Sequence, residues 1–247
     1  AGNDAEITYY LGSETDLVIP DTIDGHKVIG LCSYAIDGWN ENIKSITLPS
    51  ALEYMEECAI SYADITEISL PASVRELEPT AFGWCEYLCD IKVDEQNENY
   101  CSIDGNLYSK DKKTLVQYAI GKTDEKFEIP SYVENIADYA LDSAGNIRDI
   151  KIPNSVKRIG VSALRTSAEQ IYVPASVETI GIDAFCGCDE LEGIIVDEDN
   201  PNYSDIDGVL FDKSGETFLQ YPNGRAGTFY EIPDGTKKIS RKAIVEA

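Results

Sequence analysis

Short alternating apolar segments closed by proline recur along this chain, as in Ile68-x-Leu70-Pro71, Ile150-x-Ile152-Pro153 and Ile171-x-Val173-Pro174. Period two places both apolar side chains of such a segment on one face of a strand. The proline has no N–H to give a ladder, so it stops the strand and turns the chain. Aligned on Pro20, Pro49, Pro71, Pro130, Pro153, Pro174 and Pro233, the positions that follow keep a common register. Three residues on stand Leu52, Val74, Val133, Val156 and Val177, and six residues on stand Met55, Leu77, Ile136, Ile159, Ile180 and Ile239. Ten residues on stand Ala59, Ala81, Ala140, Ala163, Ala184 and Ala243, each followed by a larger apolar residue: Ile60, Phe82, Leu141, Leu164, Phe185 or Ile244.

The pattern predicts a strand, a turn at proline, and a short helical turn around the alanine, where neighbouring turns of chain come too close for a larger side chain. One such unit cannot stand alone. Burying seven or eight apolar side chains gives roughly 1.5–3 kcal/mol each, whereas ordering its twenty-odd residues costs roughly 1.5 kcal/mol apiece. The units must therefore stack and share a core. The first turn carries a longer insertion, DTIDGHKVIG, with a turn signal at Asp24-Gly25; Val28, Leu31, Ala35 and Ile36 restore the register.

A longer period is superposed. Val93 to Pro130 returns 103 residues later as Val196 to Pro233 with about half its positions identical. In each copy, apolar stretches (Leu107-Tyr108 and Leu115 to Tyr118; Leu210-Phe211 and Phe218 to Tyr221) flank polar turns, which predicts a β-hairpin projecting from the edge of the stack. The expected fold is an α/β repeat solenoid with short parallel strands, short helical turns and two β-hairpin inserts, at about 94–126 and 197–229. Residues 1–247 are expected to form one elongated domain, with 1–16 as an N-terminal cap whose strand runs from Ile7 to Leu11.

KIPNSVKRIGVSAL (Lys151 to Leu164) and YVPASVETIGIDAFCGCDEL (Tyr172 to Leu191) resemble the repeat of the BspA-like family of bacterial leucine-rich repeats, roughly I-x-I-P-x-S-V-x-x-I-x-x-x-A-F-x-x-C-x-x-L. NPNYSDIDGVLF with its later QYP is similar to the hairpin insert of that family. The resemblance covers about residue 17 onward. It implies a right-handed leucine-rich-repeat superhelix, secreted or surface-attached, some of whose members act as adhesins. The chain departs from the pattern at Met55, Cys58 and Ile60 and at Gly160 to Leu164, changes that bear on packing.

The net charge of -25, from 45 acidic against 20 basic residues, argues against nucleic acid, which needs a basic footprint, and against an anionic membrane. No apolar run approaches the twenty residues of a transmembrane helix. The seven cysteines are not spaced as a disulfide framework: Cys85 and Cys188 share a repeat position that Ala63, Ala144 and Ser167 occupy elsewhere, so cysteine reads as a small core residue. Cys186-x-Cys188 and Cys85-x-x-x-Cys89 could suggest a thiolate metal site, but a 103-residue offset puts the two pairs several turns apart. His26, the sole histidine, falls at the Asp24-Gly25 turn, where a Ser-His-Asp or Cys-His arrangement would have to reach it. Asp205-x-Asp207-Gly208 lacks the remaining ligands of a calcium loop and reads as a turn, with Asp197, Glu198 and Asp199 at most a weak cation site.

Among fifteen tyrosines, Tyr100, Tyr108, Tyr118, Tyr203 and Tyr221, with Phe211, cluster in the two inserts. They either pack the hairpins against the solenoid or form a contact surface, a use for which Tyr is suited. The sequence thus points to a non-enzymatic extracellular or cell-surface module, any signal peptide having been removed, that uses no cofactor and binds protein or glycan on host or bacterial surfaces. The alternative is a structural spacer within a larger surface protein.

Overall fold

A computed structural model describes residues 4–39, 42–227 and 229–244; the extremes of the expected 1–247 span and Thr228 of the second insert lie outside them. The chain divides into two compact units, Ala1–Lys122 and Thr123–Ala247, each a β-solenoid of stacked coils followed by an insert.

Each coil of the first unit presents short strands in three columns. The pre-proline strands pair in parallel, Asp16–Val18 with Ser45–Thr47 and Glu67–Leu70 with Asp90–Val93. A second column holds His26–Leu31, Tyr54–Met55 and Glu76–Leu77, and a third pairs Ile36–Asp37 with Ile60–Ser61. In the second unit Lys126–Glu128 pairs with Asp149–Lys151 and Gln170–Val173 with Gly193–Val196. There Asn135–Ile136, Arg158–Ile159 and Thr179–Ile180 form the second column. The proline sits at the first position of a β-turn, and its carbonyl accepts from the N–H three residues on: Leu52 to Pro49 (3.1 Å), Val133 to Pro130 (2.9 Å), Val156 to Pro153 (3.1 Å).

Every alanine of the register is buried. Its carbonyl accepts an N–H from the adjacent coil: Ile36 to Ala59 (2.9 Å), Ile60 to Ala81 (3.0 Å), Leu141 to Ala163 (3.0 Å), Leu164 to Ala184 (2.9 Å). Coils held at the spacing of a β-ladder, about 4.8 Å, leave room for a methyl group and little more. The helical turn expected here is absent among the described residues, which contain no helix, and the α/β class gives way to an all-β one. The reason lies one residue upstream. Tyr34, Cys58, Thr80, Tyr139, Ser162, Asp183 and Lys242, each just before an alanine, have φ between 47° and 62°. A left-handed residue ends a right-handed helix before it can propagate, and the chain turns a corner instead.

The cap strand also lies earlier than expected. It is Asp4–Ile7, parallel to His26–Leu31, with Ala5 and Ile7 against the core. Tyr10 has left the strand, its N–H bonded to the Ala35 carbonyl at 2.7 Å. Thr22–Ile23 and His26–Leu31 form the hairpin signalled at Asp24-Gly25, where both turn residues have positive φ (52° and 82°) as a two-residue turn demands.

Each insert is a three-stranded antiparallel meander: Tyr100–Ile103, Asn106–Ser109 and Thr114–Gln117 in the first unit, Tyr203–Ile206, Val209–Asp212 and Thr217–Gln220 in the second. The meanders fold back onto their own coils. The Asp-Gly turns supply carbonyls to the preceding strand, Gly105 to the Ile91 N–H (2.9 Å) and Gly208 to that of Ile194 (2.8 Å).

A fully buried asparagine fastens each meander. The Asn97 amide donates to the carbonyls of Pro71 (3.0 Å) and Val74 (2.8 Å), and its oxygen accepts from the N–H groups of Asn99 (2.9 Å) and Tyr100 (2.8 Å). Asn200 repeats all four bonds, to Pro174, Val177, Asn202 and Tyr203. The repeated Asn-x-Asn-Tyr was the sequence signal for this clamp.

Two outcomes follow from this packing. Ala163→Leu inserts three carbons between coils and should destabilise the chain by at least about 1–3 kcal/mol, read as a lower urea midpoint; an unchanged midpoint would mean the coils are not in contact there. Asn97→Ala leaves buried carbonyls and N–H groups without partners at about 1–3 kcal/mol each. It should cost more than Asn99→Ala, whose side chain makes one long bond (3.4 Å) to Val74, in the same unfolding series.

Candidate binding surface

The aromatic side chains of the two meanders are interior, whereas Phe229 at the end of the second insert is exposed. Tyr108, Tyr118 and Phe211 are fully buried and Tyr221 nearly so. Tyr100 and Tyr203 are half-buried, and their hydroxyls accept from the N–H groups of Leu77 (3.2 Å) and Ile180 (2.9 Å). In the second unit Phe211, Phe218, Tyr221 and Tyr230 form a cluster of edge-on rings 5.3–6.0 Å apart. These six candidates place their rings in packing, so excising Val209 to Tyr221 would remove core. His26 opens its strand beside the turn, as its position in the sequence implied.

The cysteines behave as small core residues where the repeat places them. Cys58, Cys85 and Cys188 are fully buried, and among the described residues no cluster of three metal-binding side chains occurs. Burial pushes the Cys85 thiol up to about 12 and that of Cys188 up to about 11. A thiol whose pKa is raised by folding favours the folded state below the unfolded pKa, near 9, and loses that contribution as pH rises through the folded value. Stability should therefore fall between about pH 9 and 12, and Cys85→Ala, an exchange the repeat makes at Ala63, should flatten that fall in denaturant titrations. An unaltered slope would show that Cys85 is not the group titrating.

Elsewhere, exposed aromatic side chains occur singly in both units, and in the first unit two of them, Trp39 and Tyr87, flank a column of stacked rings. At the register just after the third strand column the chain turns through left-handed residues, the half-buried Tyr62 (φ 53°) and Trp84 (φ 54°). Tyr62 and Trp84 stack at 5.0 Å with 7° between planes, and Trp39, on the preceding coil, meets Tyr62 edge to face at 4.8 Å and 82°. Backbone bonds between coils set the column: Gly38 N–H to Ser61 (2.7 Å) and Tyr62 N–H to Gly83 (3.0 Å). The Asp37 carboxylate accepts from the Trp39 N–H at 3.1 Å and fixes the turn that puts this indole outside, 68% exposed.

Beside the column lies a recess of about 450 Å³ walled by Trp39, Tyr62, Trp84 and Tyr87, with Asn42, Asp64 and Glu86 supplying polar groups. A second recess, about 840 Å³, runs over the outer face of the pre-proline strands past Ser45, Thr47, Glu67, Ser69 and Lys92. The Lys44–Asp64 ion pair (2.6 Å) joins the two, since Asp64 lines the first and Lys44 the second. Lys92 is likewise paired, to Glu67 at 2.6 Å. Sequence reading missed this column because its members stand at unequal places: Gly38 occupies the register of Tyr62 and Trp84, and Trp39 comes one residue later.

Residues 9–122 and 113–216 match the BspA type leucine rich repeat region, in six copies. The chain belongs to that family. A leucine rich cell surface protein from Faecalibacterium prausnitzii A2-165 is 26% identical with a TM-score of 0.55, covering 74% of this chain and 54% of its own. This BspA-type chain thus spans about half the length of that relative. A leucine-rich repeat protein from Eubacterium ventriosum (19% identity, TM-score 0.63, 88% and 68% covered) shares the fold. So does the pneumococcal vaccine antigen PcpA (19%, 0.56, 92% and 66%). Among curated proteins nothing matches.

Proposed function

We propose that this chain is a non-enzymatic binding module displayed at a bacterial cell surface, and that its contact surface is the aromatic recess of the first unit with the adjoining strand face. The surface location is supported by the cell-surface protein from F. prausnitzii, which it resembles. The observation that carries the binding role is the Trp39–Tyr62–Trp84 column. Half-buried Tyr62 and Trp84, on backbone in a costly conformation, support Trp39 at the surface beside exposed Tyr87, and such aromatic residues are enriched among those that carry affinity at protein surfaces.

The energetics agree with that use. Non-glycine residues in the left-handed region cost of order 1–3 kcal/mol each, whereas an aromatic pair returns about 0.5–1.5 kcal/mol. Two such residues against two ring contacts leave the column with no net gain for folding. The second unit has Ser143 (φ 65°) and Gly187 (φ 74°) at the same register, so the corner forms without aromatic rings.

The expected outcome is that labelled chain binds intact bacterial or epithelial cells and that a Trp39→Ala, Tyr87→Ala double variant binds at least about tenfold more weakly, with a melting temperature close to that of the parent. Equal cell binding by parent and variant would refute the surface.

A further inference from the structure

We infer that the aromatic recess takes a neutral oligosaccharide, a sugar ring lying against the exposed face of Trp39 and its hydroxyls bonded to Asp64, Glu86 and the Asn42 amide. The inference rests on the surface role proposed above and assigns that surface a ligand class.

Three properties of the recess select this chemistry. Charge comes first. The recess carries two carboxylates, and the cation beside it, Lys44, is already paired with Asp64 at 2.6 Å. With a net charge of -25 on the chain, phosphate, sulfate and uronate groups are repelled. A polyol is neutral, and its hydroxyls donate to carboxylates and accept from amide, phenol and indole N–H groups, all of which line this recess.

The ring geometry comes second. Tyr62 lies between two tryptophans, stacked with Trp84 and near perpendicular to Trp39, and is half-buried. Quaternary ammonium ligands need several open ring faces around one point, and here the column has turned faces inward on itself. Trp39 and Tyr87 remain open, 68% and 57% exposed, one wall each. An open indole face matches the C–H face of a pyranose, leaving the equatorial hydroxyls free to reach the acids.

Size and repeat come third. About 450 Å³ lies within the range of small-ligand sites, roughly 300–1,000 Å³. The column advances one ring per coil at 4.8–5.0 Å, comparable with one hexose residue of an extended chain. A linear glycan running along the coils would meet equivalent backbone at each step and continue onto the strand face through the Lys44–Asp64 pair.

The test titrates the full chain with neutral gluco-, manno-, galacto- and N-acetylglucosamine oligosaccharides of three to six units. A uronic-acid oligomer, tetramethylammonium and a polyproline peptide run in parallel, with tryptophan fluorescence and calorimetry as readouts. At least one neutral series should bind saturably and shift the tryptophan emission. That binding should weaken at least tenfold in Trp39→Ala and in the Asp64→Asn, Glu86→Gln pair, while the uronic oligomer fails to bind. Trp39→Phe, which keeps a ring, should retain part of the affinity and controls for folding. The inference is overturned if no neutral series binds, if binding is indifferent to these substitutions, or if ammonium or polyproline binds in their place. Cell binding separates the two proposals. Trp39-dependent binding that survives periodate but not protease would keep the surface and remove the glycan, and binding independent of Trp39 would remove both.

Discussion

The hydrogen bond from one coil to the alanine carbonyl of the next is the constraint on which the fold depends. A single coil has short strands and a buried side too small to offset the entropy of ordering it. Its backbone groups find partners only in its neighbours, as between Ile36 and Ala59 or Leu141 and Ala163. That bond draws the coils to ladder distance, and the distance restricts the side chain to alanine. The larger residue that follows, Phe82 or Phe185, then fills the space inside. The left-handed residue before the alanine belongs to the same arrangement, because it delivers the N–H and C=O to adjacent coils at the corner where a helix would have satisfied them internally. Cys58 illustrates this, donating its N–H to the Thr80 carbonyl at 3.1 Å from a φ of 53°.

The inserts obey the same requirement by other means. A meander interrupts the ladder, so its backbone and that of the coil beneath must be matched by something else. In each unit one buried asparagine carries two donors and two acceptors across that seam. Polar groups buried this completely are tolerated because every lone pair and proton is engaged. Tyr108, Tyr118, Phe211, Phe218 and Tyr221 then close the apolar side of the meanders, and acids and lysines stay on the solvent side.

Corners are where this fold has freedom. The strands and the alanine register are fixed by stacking, whereas the residue after the third column can be serine, glycine or an aromatic ring without altering the ladder. In the first unit that freedom holds Tyr62 and Trp84, joined by Trp39, and a recess with acidic walls results. The position that matters least for folding thereby becomes the position most available for a ligand.

Much of this was written in the order of residues. Period-two triplets ending in proline, alanine at one register and the 103-residue duplication determine stacking coils, the buried column and the two inserts, because each reflects a local preference or a repeated neighbour. The charge balance argued against nucleic acid. The conformation at Tyr34, Cys58 or Lys242 was not legible, since none of these residue types prefers positive φ and only the inter-coil bonds impose it; hence the corner in place of a helical turn. Whether a tyrosine of the inserts points in or out depended on Asn97 and Asn200 seating the meanders. The aromatic column was decided by tertiary structure for the same reason: Trp39, Tyr62 and Trp84 stand 23 and 22 residues apart, and only the stacking of successive coils brings their rings to within 5.0 Å.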